Sequence, residues 1–378
     1  MPFLSREHKN LFSNWWWTID RLTMISTLLI MVFGGVMVAT ASPAVAERIG
    51  LEPYYFVKHQ LLYMVLALLF MFGLSLLSTQ YVQKVAWGGI AVTLFLMVVV
   101  LLFGSETKGA QRWLNILGIS LQPSEFVKPF FAVCAAGLLA QTGGRYTWKE
   151  MRFSLLLYGL IILLLILQPD FGMALTISVI WGGQLFIAGL PMVLVISMMF
   201  IGFIGMIAAY HFLPHVTYRV NSFLGTDSET TYQVKKSIEA FQHGGLFGRG
   251  PGEGTVKQHL PDSHTDFIFA VAGEELGALV CMLLVVLYAI IVLRGLYRLQ
   301  EQRDLFLVYS IAGLLIIIGA QAVVNMGVAL HLFPTKGMTL PFISYGGSSM
   351  LSISIAMGMI FALTRRRYGK ILKRGPGI

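Results

Sequence analysis

The chain has 378 residues, of which 56% are apolar and only 12% are charged, and its mean hydropathy is +0.75. A soluble protein of this size needs more charge to cover its surface, so these values exclude an ordinary soluble enzyme and indicate an integral membrane protein. The net charge of +9 would suggest nucleic-acid binding in a soluble chain, but the basic residues cluster at the ends of apolar runs, which makes membrane topology the better explanation.

Apolar runs near the length of about 20 residues that a spanning helix needs occur about ten times along the chain. The segment before the first run, Trp15 to Arg21, is typical of an anchor at the membrane interface rather than of a cleavable signal peptide. Cys134 and Cys281 fall inside apolar runs, so no disulfide framework is expected. We predict an all-α polytopic membrane protein with about ten transmembrane helices. The predicted spans are 22–41, 59–78, 86–104, 124–141, 153–168, 172–188, 191–213, 267–293, 306–328 and 343–363.

An even number of spans places both termini on the same side of the membrane. Most of the 27 Lys and Arg residues lie in short segments on that side, so the positive-inside rule predicts cytoplasmic termini. We expect one membrane domain, residues 22–363, between a cytoplasmic N-terminal segment, 1–21, and a basic cytoplasmic tail, 364–378. The longest polar stretch, 214–265, then forms a large extracytoplasmic loop between spans 7 and 8, and its length is typical of functional loops.

The segment that enters the fourth span is polar. Residues 122–124 (Gln-Pro-Ser) predict a helix start, and Glu125 and Lys128, three residues apart, suit an ion pair on one helix face. Ionisable groups at the membrane boundary need partners, so this pair should face the bundle interior. Two hypotheses remain open. Either the pair braces two helices, or Lys128 joins Lys108 and Arg112 in a pocket for an anionic head group.

A Pro-Asp pair separates the fifth and sixth spans. Pro169 ends one helix and Asp170 can cap the next. Capping would explain the acid, and so would a position in the wall of a polar cavity. The sequence leaves both interpretations open.

A glycine-rich cluster, residues 244–254, lies in the predicted outer loop. It invites comparison with a phosphate-binding loop, but no strand precedes it and no Gly-Lys-Ser/Thr follows, so neither nucleotide fingerprint fits. We expect a flexible hinge.

Asp266 stands where the polar loop becomes the eighth span. An acid in the first turn is favoured by the helix dipole, which suggests a cap, although Thr265 could cap in its place. Alternatively, Asp266 is held ionised beside a cavity at membrane level, as a general base requires. Spacing alone leaves these two hypotheses equally open. Glu274 lies deeper in the span and needs a partner, either as a cap or in a cavity wall.

Residues 334–349 are rich in Pro, Gly and other small residues, which predicts a re-entrant segment. Irregular backbone at membrane depth is tolerated only when it is buried or lines a cavity. Close helix packing through small residues is the alternative.

Together these motifs resemble the SEDS family of bacterial cell-wall polymerases over nearly the whole chain, from about Asp20 to Tyr368. Within that family the chain is most similar to the cell-division members, on the basis of residues 334–337 and 273–277. The segments that carry the family resemblance are Lys-Gly-Ala-Gln-Arg-Trp (108–113), Gln-Pro-Ser-Glu (122–125), His-Thr-Asp-Phe-Ile-Phe-Ala-Val (264–271) and Ile-Ser-Tyr-Gly-Gly-Ser-Ser (343–349).

The resemblance implies the SEDS fold and a peptidoglycan glycosyltransferase that polymerises lipid II into β-1,4 glycan strands. The reaction would take place at the outer face of the bacterial cytoplasmic membrane, at the division septum. The implied partners are a class B penicillin-binding protein transpeptidase and other membrane proteins of the division machinery. The resemblance also implies that Asp266 is the essential acid and that Glu125 and Lys128 are the family's ion pair. A lipid II flippase is the alternative function, although no inverted repeat of the kind found in transporters is visible.

The implied reaction is one in-line displacement with inversion, which needs a base for the acceptor hydroxyl and cations for the departing undecaprenyl diphosphate. Asp266 is the expected base. Lys128 is one expected cation, and a divalent metal, Mg²⁺ or Mn²⁺, could assist. The other residues expected to bind substrate are Lys108, Arg112, Arg219, Lys336, His264 and Ser344.

Overall fold

The structure is a computed structural model, and it describes residues 11–107, 110–116, 119–141, 148–212, 217, 221, 228–334 and 337–365. Within that part of the chain the protein is a bundle of α-helices with one small sheet. The α-helices are α1 (Leu11–Thr18), α2 (Arg21–Arg48), α3 (Tyr55–Ser75), α4 (Thr79–Phe103), α5 (Pro123–Ala140), α6 (Trp148–Leu167), α7 (Phe171–Ile187), α8 (Met192–Phe212), α9 (Ser228–Gly244), α10 (Ile268–Gln300), α11 (Leu305–Ala329) and α12 (Gly347–Thr364). The strands are β1 (Ser105–Thr107), β2 (Ala110–Ile116) and β3 (Ile119–Leu121), which pair antiparallel in the order β1-β2-β3.

The predicted spans coincide with α2 to α8 and α10 to α12, so the prediction of a helical, polytopic membrane protein is confirmed. In the described part of the chain, seven helices are long and apolar enough to cross a membrane: α2, α3, α4, α5, α10, α11 and α12. Residues 151–167 of α6 and the whole of α7 are shorter apolar helices.

Several helix boundaries differ from the prediction; α4, for example, begins at Thr79 rather than at residue 86. α2 and α10 are longer than the apolar runs that revealed them, because helix continues past the hydrophobic stretch into polar sequence. α12 begins at Gly347 rather than at residue 343, because residues 340–346 form turns. In these turns Ser344 Oγ accepts a hydrogen bond from the Leu340 backbone N–H (2.7 Å). The side chain thereby offers the backbone an alternative to a helix.

Two helices, α5 and α12, form the centre of the bundle and are the most buried. α12 packs against α3 and α5, and α5 also packs against α4 and α11. The turns before α12 press against α2: a Cβ at Gly34 would lie 2.2 Å from the carbonyl oxygen of Phe342. Close packing through a small residue therefore holds the predicted re-entrant segment.

Chain connections place the sheet, α9 and the turns before α10 and α12 at one end of the bundle, which we call the loop end. The opposite end carries the starts of α2 and α11 and the ends of α10 and α12. There Asp20 caps α2 by accepting from the Thr23 N–H, and it binds Arg294 and Arg298 at 2.8 and 3.0 Å. Arg365 adds a hydrogen bond from α12 to Thr18. These contacts fasten the helix ends to one another.

Candidate active site at the loop end

A polar cavity of about 140 Å³ lies at the loop end, where β2 meets α5, α7 and α11. It has room for several water molecules but is smaller than the roughly 300–1,000 Å³ typical of sites that enclose a whole small ligand. Its formal charges, two positive and two negative, balance. The charged and amide residues that line it are Arg112, Gln122, Glu125, Lys128, Asp170 and Gln321.

The helix start predicted at residues 122–124 is present, with Gln122 as the N-cap and Pro123 as the first residue of α5. The ion pair expected from the spacing is present as well: Lys128 Nζ lies 2.7 Å from Glu125 Oε2. The Lys128 side chain is only 2% exposed, and its ammonium also donates to Gln321 Oε1 at 3.0 Å. Lys128 is therefore held by two partners at the floor of the cavity.

Gln321 extends this network to the turns before α12. Its Nε2 donates to the carbonyl and hydroxyl oxygens of Thr339, both at 3.0 Å, and to Ser349 Oγ at 3.2 Å. Neither Gln321 nor Asn325, one turn further along α11, was predicted from the sequence. The available signal was an amide side chain inside an otherwise apolar span, which needs a partner in the bundle interior.

Asp170 fulfils both interpretations that the sequence left open. Its Oδ1 accepts from the Met173 N–H at 3.3 Å and so caps α7, and the same residue lines the cavity. Arg112 Nη1 lies 3.8 Å from that oxygen. Arg112 also donates to the backbone carbonyls of Gln168 and Pro169. With a side chain that is 25% exposed, Arg112 is far more accessible than Lys128.

Asp266 lies half-buried in a turn that precedes α10. The helix begins at Ile268, and its N-cap residue, Phe267, has no side-chain cap hydrogen bond. Neither Asp266 nor Thr265 occupies the N-cap position, so the capping interpretation of Asp266 is wrong.

The Asp266 carboxylate lies beside the wall of the cavity. Gly337 lines the cavity, and a Cβ built on it would be 3.6 Å from Asp266 Oδ2. Asn325 Nδ2 donates both to the Asp266 carbonyl (3.0 Å) and to the carbonyl of Met338 (2.6 Å), another lining residue. The amide of Asn325 thus fixes the backbone of Asp266 to the segment that forms this wall.

Ser344 and His264 support the turn that holds Asp266. Ser344 Oγ donates to the Thr265 carbonyl at 2.6 Å, and the Tyr345 N–H donates to the His264 carbonyl at 2.9 Å. The His264 ring lies 4.6 Å from the Phe56 ring. Burial and the positive charge of Arg48 lower the pKa of His264 to about 4. The negative charge of Asp262 opposes this shift but is outweighed. His264 is therefore neutral at physiological pH. Neither residue lines the cavity.

Glu274 is completely buried away from the cavity. Its Oε1 accepts the N–H groups of Thr255 and Val256 at 2.9 and 3.0 Å, which caps the short 3-10 helix Val256–Gln258. The glycine-rich cluster that precedes this helix packs directly on α10: the Arg249 N–H donates to the Glu274 carbonyl at 3.0 Å. The prediction of a flexible hinge is wrong, because the glycines serve close backbone contact.

Three of the predicted substrate-binding cations, Lys108, Arg219 and Lys336, lie outside the described residues. Among the residues that the structure does describe, no group of three or more His, Cys, Asp or Glu side chains could hold a metal ion. The described part of the site is therefore one half-buried carboxylate, Asp266, beside a cavity that carries one accessible cation, Arg112.

Comparison with known sequences gives consistent matches over almost the whole chain. Residues 20–369 match the family of cell cycle proteins that comprises FtsW, RodA and SpoVE. A probable peptidoglycan glycosyltransferase FtsW of Caulobacter vibrioides is 38% identical over 370 residues, which cover 97% of this chain and 94% of that protein. A second protein of that name, from Methylococcus capsulatus, is 33% identical over 383 residues, which cover 95% of this chain and 94% of the relative.

Solved structures show the same fold. A chain from a peptidoglycan synthase complex that coordinates polymerization and crosslinking superposes with a TM-score of 0.75 at 26% identity, covering 92% of this chain and 97% of that chain. The rod shape determining protein RodA of Thermus thermophilus superposes with a TM-score of 0.67, also at 26% identity and with the same coverage.

Proposed function

The chain belongs to the cell cycle protein family of FtsW, RodA and SpoVE, and on this basis we propose that it is a peptidoglycan glycosyltransferase that polymerises lipid II into β-1,4 glycan strands during septal cell-wall synthesis. The observation that carries the proposal is the position of Asp266, half-buried beside a polar cavity and not used to cap its helix. Relatives at 38% and 33% identity are named for this activity.

In the proposed reaction Asp266 is the general base. An acceptor sugar hydroxyl gives its proton to the Asp266 carboxylate while its oxygen forms a bond to C1 of the donor sugar. The bond between C1 and the diphosphate oxygen breaks, and undecaprenyl diphosphate leaves with the electron pair. One displacement inverts the α-linked donor into a β-link. The diphosphate needs no proton if cations stabilise its charge.

Of the two described cations in the cavity, Arg112 is the better candidate to bind the diphosphate. Lys128 is almost completely enclosed and paired with Glu125, whereas the Arg112 guanidinium is partly exposed and presents several donors. The cavity is too small for a whole lipid-linked sugar, so it would hold the charged diphosphate while the sugars lie outside it. Lys108, Arg219 and Lys336 complete the proposed set of cations.

A divalent cation, Mg²⁺ or Mn²⁺, would be bound mainly by the diphosphate. Mg²⁺ commonly takes one or two protein carboxylates together with substrate phosphates rather than a site built only of protein. This fits the absence of a metal-binding cluster among the described residues. Its contribution would be to neutralise charge on the leaving group.

The proposed site faces the outside of the cytoplasmic membrane, with both termini in the cytoplasm, as the distribution of Lys and Arg residues favours. A class B penicillin-binding protein would crosslink the new strands at the division septum. The similarity to a chain of a peptidoglycan synthase complex that coordinates polymerization and crosslinking supports such a partner.

The test compares Asp266→Asn with Asp262→Asn, which changes an exposed carboxylate in the same turn. Each purified protein is incubated in detergent with its partner and lipid II, and the length of the glycan product is measured. Asp266→Asn should fold normally but lose about 10²- to 10⁴-fold in rate, the usual contribution of a general base. Asp262→Asn should keep the wild-type rate.

A wild-type rate in Asp266→Asn would contradict the assignment of the base. The alternative function, a lipid II flippase, predicts a different result. The protein in liposomes would then move labelled lipid II across the bilayer and would not lengthen it, and no product would form in detergent.

A further inference from the structure

The long helix α10 is interrupted at Gly277, whose backbone angles (φ 79°, ψ 175°) are not helical. In a continuous helix the N–H groups of Ala278 and Leu279 would donate to the carbonyls of Glu274 and Glu275, four residues earlier. At the interruption all four groups need other partners, because unpaired backbone groups are strongly unfavourable inside a membrane protein.

The segment 244–257, which we call the glycine loop, supplies all four partners. The two free carbonyls of α10 accept from the N–H groups of Arg249 (3.0 Å) and Gly250 (2.9 Å). The two free N–H groups of α10 donate to the carbonyls of Gly245 (2.9 Å) and Leu246 (3.3 Å). The loop thus replaces two helical hydrogen bonds of α10 with four of its own.

This exchange requires close contact between the two backbones. A Cβ on Gly248 would lie 2.3 Å from the Glu275 carbonyl oxygen, and one on Gly244 would lie 1.9 Å from the Gly273 carbonyl oxygen. Side chains cannot be accommodated at these distances, so the glycines are needed for the contact itself.

A buried ion pair fastens the same loop. Lys257 Nζ lies 2.5 Å from Glu275 Oε1 and also donates to the carbonyls of Thr40 on α2 (3.1 Å) and Gly252 in the loop (2.9 Å). Both charged residues are more than nine-tenths buried. Since a buried pair contributes little net stability and breaking it is strongly destabilising, its main effect is to fix geometry between the loop, α10 and α2.

The part of α10 before the interruption behaves as a separate unit. Residues 268–275 are all buried, whereas side chains between 279 and 297 are repeatedly exposed on the lipid-facing side. Asp266 precedes this buried segment by two residues. Its distance from the cavity therefore depends on how the segment 268–276 is held, and the glycine loop holds it at the interruption.

We propose that the glycine loop is the positioning element of the general base, with Lys257 as the positioning residue that locks it. The loop acts through the segment 268–276 and sets where the Asp266 carboxylate lies beside the cavity. Asn325 and Ser344 also fix the backbone of this turn through hydrogen bonds to the carbonyls of Asp266 and Thr265. The inference rests on the proposed function, because its main readout is glycan polymerisation.

The first test compares Gly248→Ala with Gly252→Ala. Both glycines have positive φ (79° and 86°), but a Cβ on Gly252 meets nothing within 4 Å. Backbone strain is therefore similar and only the contact with α10 differs. Gly248→Ala should lower kcat about 10- to 100-fold at little change in KM, because small displacements of a catalytic group have effects of this size. Gly252→Ala should stay within about twofold of the wild type.

The second test separates positioning from stability. Lys257→Met leaves the Glu275 carboxylate buried without a partner and should lower both thermal stability and kcat. The double variant Lys257→Met/Glu275→Met removes the uncompensated charge and should recover stability. Its kcat should stay low, because the ion pair that holds the glycine loop in place is absent. Recovery of kcat together with stability would overturn the proposal, as would equal kcat values for Gly248→Ala and Gly252→Ala.

Amide hydrogen exchange gives a readout that does not need activity. Gly248→Ala should speed exchange at the N–H groups of Arg249, Gly250, Ala278 and Leu279, whereas Gly252→Ala should not. Unchanged exchange in both would mean that the loop does not hold α10. If the wild-type protein polymerises nothing while the exchange result is as expected, the proposed function fails and the contact between loop and helix stands.

Discussion

Buried carboxylates with basic partners occur at both ends of the bundle, but their surroundings differ. At the opposite end, Asp20 uses both oxygens: one accepts from the Thr23 N–H and the other binds Arg294 and Arg298. At the loop end, Glu125 and Asp170 border a polar cavity. Asn325, which is bonded to the lining residue Met338, has a buried Oδ1 with no hydrogen-bond partner among the residues that the structure describes.

The difference shows how similar ion pairs serve two purposes. A buried network in which every polar group has a hydrogen-bond partner makes a structure rigid. A network beside a cavity that keeps an unpaired acceptor can exchange partners with a ligand. We therefore expect changes at the opposite end to affect stability alone and changes around the cavity to affect activity.

The largest effect is expected for Lys128→Met. The Glu125 carboxylate and Gln321 Oε1 would lose their common donor inside the bundle. Breaking a buried pair costs about 3–5 kcal/mol, so thermal unfolding in detergent should shift strongly and polymerisation should be lost. The double variant Lys128→Met/Glu125→Gln should regain part of the stability and none of the activity. If activity returned as well, the pair would only brace two helices.

This pair belongs to the part of the site that the sequence could predict. The i, i+3 spacing of Glu125 and Lys128, the helix start at Pro123 and the cap at Asp170 are local, since each depends on residues within one turn. Apolar runs predicted the helical membrane fold for the same reason. Helix ends were less accurate, as in α10, because helix continues beyond the apolar run that marks a span.

The remainder depends on contacts between distant segments. The glycine-rich cluster contains nothing to indicate that α10 is interrupted some 30 residues later and that the loop completes its hydrogen bonds. Likewise, Gln321 and Asn325 acquire their roles only because α11 packs beside the turns before α12. The capping interpretation of Asp266 failed because the turn at residues 262–267 delays the helix start by two residues.

A change at the opposite end, Asp20→Asn, should reduce stability by about 2–3 kcal/mol, less than for Lys128→Met because Arg294 is about one-third exposed. Specific activity of the folded protein should not change. Burial alone would raise the pKa of Asp20, but hydrogen bonds and charges from Arg298 and Arg294 outweigh it and lower the pKa.

The lowered pKa adds a dependence on pH. The contribution of Asp20 is complete above the ordinary pKa of an aspartate and is lost as pH falls through the lowered value. The free energy of unfolding should therefore fall less steeply with decreasing pH, in the acid range, for Asp20→Asn than for the wild type. A loss of specific activity in this variant would show that the two ends are coupled. It would contradict the expectation that changes at the opposite end affect stability alone.

His264→Phe tests the turn that supports Asp266 and should have a smaller effect. The pKa of His264, about 4, lies below the ordinary histidine value of 6.5 because of burial. The unfolded chain therefore takes up the proton first, and the stability that neutral His264 provides is lost as pH falls from about 6.5 towards 4. Between pH 8 and pH 5 the free energy of unfolding should fall by about 2 kcal/mol more for the wild type than for His264→Phe. Parallel curves for the two proteins would argue against a buried neutral imidazole.

The smallest effect is expected for Arg112→Lys, and it tests whether a paired cation at the cavity also serves the substrate. The guanidinium reaches Asp170 and the carbonyls of Gln168 and Pro169 at once, which a single ammonium cannot reproduce. We expect kcat/KM for lipid II to fall about tenfold, close to 1.4 kcal/mol of transition-state stabilisation, with little change in stability. Arg249→Lys is the matched control, because Arg249 is exposed at the loop end and does not line the cavity. If Arg112→Lys and Arg249→Lys had the same kcat/KM, Arg112 would be a purely structural partner of Asp170. The ion pair at the cavity would then serve stability alone, as the ion pairs at the opposite end do.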